Sequence, residues 1–227
     1  MKLDAWIPIY EGICKDFGFA PALDLQCAKF LGLSLGDRSD SALDLVRQRV
    51  SPTVLVCGGA DSLADELSSM EITWPVVAAD GATTVLLEAG ILPDVIVTDL
   101  DGIVEDQIES NNRGTPVMIH AHGDNRKTVE RYLNSFKGAI VGTCQCIPPE
   151  HVFNFGGFTD GDRAACIFSE LGAKKVLLAG FDFSNPSRKP GKNLAVKRRK
   201  LVWARKILDE LGREGIDIIP VMEYRGD

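Results

Sequence analysis

The sequence predicts an α/β fold: a mostly parallel sheet with helices on both faces, preceded by N-terminal helices. Three observations predict it. Short runs rich in Val and Ile recur from residue 53 onward, and stretches with helical spacing separate them. The runs are nearly all-apolar instead of alternating, which is the pattern of strands buried on both faces. Repeated strand–helix–strand succession points to a parallel sheet covered by helices.

Before residue 51 the pattern is helical. Residues 23–35 carry Leu, Ala, Cys and Phe at helical spacing. Residues 39–50 open with Ser39-Asp40-Ser41 as an expected cap and set Leu43, Val46 and Val50 on one side, with Pro52 as the stop. The expected strands are 53–57, 75–79, 95–98, 116–121, 139–141, 152–155, 175–179 and 216–221. The expected helices between them are 62–70, 82–89, 103–111, 125–136, 163–171 and 194–212. The change of regime near Ser51-Pro52 divides the chain into an N-terminal helical segment, 1–50, packed on the core, and an α/β domain, 51–227, expected to carry the chemistry. Residues 185–193 (NPSRKPGKN) break the rhythm and read as an exposed basic loop.

Composition narrows the function. At 227 residues the chain is long enough to bury a sizeable core, and 45% hydrophobic with 25% charged residues excludes a disordered chain. The net charge is −7, from 25 Lys+Arg against 32 Asp+Glu, so no global field favours nucleic acid or an anionic membrane. Six cysteines are too few for a disulfide framework and lack zinc spacing; they read as small buried hydrophobes of a reducing compartment. Residues 1–10 contain Lys2, Asp4 and Pro8 and no apolar signal region, and no run reaches the roughly 18 apolar residues of a membrane span, so a cytoplasmic protein is expected.

The aspartates carry the functional signal. Asp80, Asp99, Asp124 and Asp182 each follow an apolar run, with Asp101 two residues beyond Asp99. In a parallel sheet the carboxyl ends of the strands share one edge, where ligands bind, so these carboxylates are expected to gather. If the strand stays extended past Thr98, Asp99 and Asp101 point the same way, a spacing suited to a hard cation such as Mg²⁺. Such a cation would also relieve their mutual repulsion.

Three further segments fit a phosphate ligand. Gly58 and Gly59 follow the first buried strand and let a ligand approach the backbone. Residues 155–163 (FGGFTDGDR) place Thr159, Asp160, Asp162 and Arg163 between a strand and a helix. Lys189, Lys192, Lys197 and Lys200 lie on the basic loop and the helix after it; lysines so placed can close over a polyphosphate. His120 and His122 lie near the same edge and rank low as catalysts. Carboxylates would repel a triphosphate unless a divalent ion bridges them. Acids, glycine turns and a separate lysine set therefore read as Mg²⁺-nucleotide chemistry. Neither G-x-x-x-x-G-K-[ST] nor G-x-G-x-x-G occurs.

On these residues the chain resembles the archaeal type of 6-hydroxymethyl-7,8-dihydropterin diphosphokinase, a group related to thiamin pyrophosphokinase. The matching blocks are CGGADSL at 57–63, AADGA at 78–82, LPDVIVTDLDG at 92–102, HAHGDN at 120–125, FGGFTDGDR at 155–163 and AGFDFS at 179–184, and the helices around residues 6–33 look similar too. The resemblance implies a thiamin pyrophosphokinase catalytic-domain-like fold. It also implies transfer of diphosphate from ATP to the hydroxymethyl group of a reduced pterin, with AMP leaving and Mg²⁺ required, in methanopterin or folate-type cofactor synthesis. By the same resemblance Asp80, Asp99, Asp101 and Asp124 are the metal- and phosphate-organising acids. Thiamin pyrophosphokinases carry G-G-R-x-D-H where this chain has GGFTDGDR, which argues against thiamin. Alternatives are a metal- and nucleotide-dependent glycosyltransferase-like protein, a thiamin diphosphokinase, or a nucleotide-sensing module without turnover. Phe155, Phe158, Asn154 and Asp182 are the residues that could line a pterin pocket. The apolar surface of residues 6–19 packs either internally or against a second copy.

Overall fold

The structure is a computed structural model that describes residues 1–185 and 193–224. Three helices come first: α1 (Leu3–Phe17), α2 (Pro21–Leu35) and α3 (Asp37–Arg47). The alternating part follows as β1 (Thr53–Cys57), α4 (Leu63–Ser68), β2 (Val76–Ala79), α5 (Ala82–Glu88), β3 (Val95–Thr98), α6 (Val104–Asn112) and β4 (Val117–Ala121). It continues through α7 (Arg126–Tyr132), β5 (Ile140–Cys144), β6 (Val152–Phe153), α8 (Asp160–Glu170), β7 (Lys175–Ala179), α9 (Leu194–Arg213) and β8 (Asp217–Pro220).

Among the described residues the eight strands form one sheet in the order β6-β5-β4-β3-β2-β1-β7-β8, and every pairing is parallel. The predicted all-apolar runs are therefore strands with both faces covered. Val54 and Val56 point into one core layer with side chains of α1, α3, α8 and α9; Leu55 and Cys57 point into the other with those of α4, α5, α6 and α7. The division follows from chain direction. From β1 to β5 the sheet grows one way, and crossovers of one hand leave their helices on one face. The chain then returns across the sheet through α8 to lay β7 beside β1, and the helices after this reversal occupy the other face.

The N-terminal helices share this core. Trp6 is fully buried and its indole N–H donates to the Gln145 carbonyl at 2.8 Å, while Tyr10 and Ile13 join the layer of Val54 and Val56. The apolar side of α1 thus packs internally. All six cysteines are buried and unbridged. Among the described residues no helix is long and apolar enough to cross a membrane.

Local chemistry moves several expected boundaries. Ser39 is not a cap: α3 already starts at Asp37, and the buried Ser39 hydroxyl accepts from the Gly142 N–H of β5 at 2.9 Å. α8 starts at Asp160, three residues earlier than expected, because Thr159 and Asp162 form a reciprocal capping box around its first turn. β5 runs on to Cys144. β6 stops at Phe153, where Asn154 turns inward: its amide donates to the Cys146 carbonyl and its carbonyl oxygen accepts from the Gly156 N–H.

Candidate active site

The strand order creates the site. β1 lies between β2 and β7; the chain runs from β1 to β2 on one side and from β7 to β8 on the other, and this reversal opens a crevice at the carboxyl ends of the strands. A cavity of about 350 Å³ lies there. The turns after β1, β2, β3 and β7, the first turn of α8 and one side of α9 line it.

Glycines bring the backbones of two neighbouring strands together at its floor. A Cβ on Gly58 would come within 2.7 Å of the Gly180 carbonyl oxygen, and one on Gly180, where φ is +69°, within 2.6 Å of the Gly58 oxygen. Gly59 is exposed with open space beside it, so a ligand can approach the backbone there.

Three acids converge in the cavity: Asp80, Asp99 and Asp160 each offer one carboxylate oxygen, and the three oxygens lie within 4.8 Å of one another. Asp80 follows β2 with a left-handed backbone, φ +45°. Its Oδ1 accepts from Thr98 Oγ1 at 2.8 Å, Gly102 N at 3.0 Å and Gln107 Nε2 at 3.0 Å. Asp99 follows β3. Its Oδ1 is buried without a hydrogen-bond partner, and its Oδ2 lies 3.5 Å from His122 Nε2. Asp160 opens α8, and its Oδ1 accepts from Arg163 Nη1 at 2.6 Å.

The electrostatics follow from this crowding. Burial works to raise the Asp99 carboxyl, but the His122 hydrogen bond and the charges of His122, Arg163 and Lys200 outweigh it and hold the group below the usual carboxylate range. Asp160 goes the other way: burial first, then the charge of Asp99, push it well above that range against the pull of Arg163. Burial beside a second carboxylate disfavours charging the acids together, and a divalent cation offsets that repulsion. The donor set suits Mg²⁺, a hard cation that favours carboxylate oxygens, and the orphaned Asp99 Oδ1 is a buried acceptor such an ion would satisfy. The residues fit the ion that the sequence reading implies.

Several expected site residues are placed differently. Asp101 lines the cavity but stands outside this triad. The strand ends at Thr98, and Leu100 takes a left-handed turn, φ +64°, with its N–H bonded to Thr98 Oγ1, so Asp99 and Asp101 are not successive same-side residues of an extended strand. Asp124 belongs neither to the triad nor to the cavity lining, although its neighbours His122 and Asn125 both contact Asp99. After β4 the chain turns through His122 and Gly123, and Asp124 is exposed beside a separate small hollow with Phe19, Leu23 and Asp24. Asp162 faces its own loop: its oxygens accept from the Phe158 and Thr159 N–H groups and from the Thr159 hydroxyl. Arg163 reaches the cavity only as the partner of Asp160 and of the Phe158 carbonyl.

Gly58, Gly59, Thr159, Lys197, Lys200 and Asp182 line the cavity. Phe158 does too, and Lys200 Nζ sits 5.5 Å from its ring centroid. Asn154 and Phe155 are occupied elsewhere, one in the turn after β6 and the other against Phe153. Lys189 and Lys192 lie outside the described residues. The sequence reading set Asp160 among the phosphate-binding residues and not among the metal acids, gave Phe181 and Phe183 no role beyond their place in the AGFDFS block, and did not single out Gln107. Asp160 reads from the sequence as part of the phosphate-contacting 155–163 turn, and the crossing of α8 back over the sheet brings its carboxylate to Asp80 and Asp99.

Fold and site define an α/β protein whose switch-point cleft carries an acid triad fit for a divalent cation, with lysines and aromatic rings beside it. The family described as 6-hydroxymethylpterin diphosphokinase MptE-like matches residues 36–188, and the chain belongs to that family. It is 40% identical over 227 residues to the 6-hydroxymethyl-7,8-dihydropterin pyrophosphokinase of Methanothermobacter thermautotrophicus, covering 95% of this chain and 97% of that one. It is 38% identical over 225 residues to the protein of the same name from Pyrococcus furiosus, covering 95% and 96%. Among solved structures, thiamine pyrophosphokinase from Bacillus subtilis superposes with a TM-score of 0.39 and 17% identity over 73% of this chain and 58% of that one.

Proposed function

We propose that this chain transfers diphosphate from ATP to the hydroxymethyl group of 6-hydroxymethyl-7,8-dihydropterin in a Mg²⁺-dependent reaction. The observation that carries the reading is the convergence of Asp80, Asp99 and Asp160 at the switch-point cavity of a chain with this family membership. In the reaction the pterin hydroxyl oxygen bonds to the β-phosphorus of ATP. The bond from that phosphorus to the α,β-bridging oxygen breaks, AMP leaves, and the hydroxyl proton passes to solvent or a nearby base. Asp80, Asp99 and Asp160 are the residues to hold Mg²⁺, whose chemistry here is to neutralise polyphosphate charge. Lys197 and Lys200 supply positive charge from α9. Phe158, Phe181 and Phe183 give the cavity wall aromatic surface suited to a flat heterocycle, and the glycine turns after β1 and β7 let phosphate oxygens meet the backbone. Catalysis in this arrangement is mainly positioning and charge compensation.

The test is direct. Purified protein with ATP, Mg²⁺ and the reduced pterin should form pterin diphosphate and AMP in equal amounts, and Asp99→Asn should lower turnover by about 100-fold or more. Release of ADP in place of AMP would overturn the diphosphoryl assignment; activity on thiamin or a nucleotide-sugar in place of the pterin would overturn the acceptor.

A further inference from the structure

We infer that Gln107 is a positioning residue for the metal-binding carboxylate of Asp80, an inference that rests on the metal reading proposed above. Gln107 is on α6, fully buried, on the helix side facing the sheet. That side is unusually polar, since Ser110 and Asn111 are buried there as well. Their bonding shows why Gln107 differs. Asn111 spends its whole amide on backbone: its nitrogen donates to the Thr115 and Ala139 carbonyls and its oxygen accepts from the Gly138 N–H. Ser110 donates to the Asp106 carbonyl of its own helix. Both fasten the fold. Gln107 binds no backbone group: its Nε2 donates to Asp80 Oδ1 at 3.0 Å, while its Oε1 is buried with no partner. Folding alone does not favour an amide half unsatisfied at this depth over an apolar side chain of the same size.

What Gln107 does is select an oxygen. With Thr98 Oγ1 and Gly102 N it brings three donors onto Asp80 Oδ1. These saturate Oδ1 and fix the carboxylate plane, so a cation at the triad meets Asp80 through Oδ2. Gly102 completes the fit, because a Cβ there would lie 2.9 Å from Oδ2 and 3.1 Å from Oδ1. Groups that orient a ligating carboxylate change metal affinity by about 10- to 100-fold when removed.

Gln107→Met keeps the volume, removes the donor and removes the unpaired carbonyl. Mn²⁺ binding to the nucleotide-free protein, measured by calorimetry, should weaken by about tenfold. The melting temperature without metal should stay the same or rise. Excess Mg²⁺ should restore part of the lost turnover. A role confined to holding the fold predicts the reverse: a lower melting temperature with unchanged Mn²⁺ affinity. That result overturns the inference, as does a variant that fails to fold. Thr98→Val, which takes a different donor from the same oxygen, should weaken Mn²⁺ in the same direction, and unchanged affinity there also counts against the inference. Wild-type protein that binds no Mn²⁺ would instead defeat the metal reading, and AMP assays on the wild type separate that failure from a wrong choice of acceptor.

Discussion

At the scale of single residues, the site is built from groups held in conformations they do not choose for themselves. Asp80 and Leu100 both have positive φ, which costs a side-chain-bearing residue about 1 kcal/mol or more. Each is held by its bonds, Asp80 through its three donors and Leu100 through the Thr98 hydroxyl. The acids also work against the fold. Asp160 is raised well above the carboxylate range by burial and by Asp99. Its folded form therefore binds a proton more tightly than its unfolded form, and its contribution to stability falls as pH rises through that raised value. In metal-free protein Asp160→Asn should raise the melting temperature near neutral pH. In the wild type the stabilisation given by Mn²⁺ should grow as pH rises from the acidic range toward neutrality, because the cation competes with that proton. Thermal melts with and without Mn²⁺ across this range check both. A Mn²⁺ effect that is flat with pH would show that Asp160 does not ligate.

At the scale of elements, α8 is the piece that joins fold to site. Its first turn carries Asp160 into the cavity, and the loop before it is anchored by Asp162. Gly157 makes the approach feasible: at φ +93°, a Cβ there would lie 2.2 Å from the Arg163 Cα. Asp162→Ala leaves the buried Phe158 N–H, the half-buried Thr159 N–H and the Thr159 hydroxyl without their acceptor and removes one half of the capping box. It should cost on the order of 3 kcal/mol in urea unfolding. It should also weaken Mn²⁺ binding, since Asp160 loses its fixed start of helix. An Asp162→Ala protein as stable as the wild type would mean the capping box is dispensable.

At the scale of the whole molecule, the N-terminal helices pack into the core on both sides of the sheet, α1 and α3 in one layer and Cys27, Leu31 and Leu35 of α2 in the other. Trp6 reaches from α1 to the carbonyl of Gln145 just beyond β5. Trp6→Ala should cost about 3–5 kcal/mol. Circular dichroism and tryptophan fluorescence should follow one coincident unfolding transition in the wild type. Separate transitions would show that residues 1–50 fold apart from the rest.

Every expected strand from 53 onward is present, because buried parallel strands leave an apolar signature that needs no knowledge of their neighbours. The gathering of Asp80 and Asp99 was readable for the same reason: both end such strands, and strand ends of a parallel sheet lie on one edge. Strand order was not readable, since β7 beside β1 is a pairing between segments about 120 residues apart in register with no local mark. The fate of each remaining acid depended on it. Asp160 enters the triad because α8 crosses back over the sheet. Asp101 and Asp124 stand off it because the chain turns at Leu100 and at His122–Gly123. Which carboxylates exist near strand ends is a property of the chain; which of them can share one cation is set by three-dimensional packing, because ligation needs separations of a few ångströms that no one-dimensional spacing encodes.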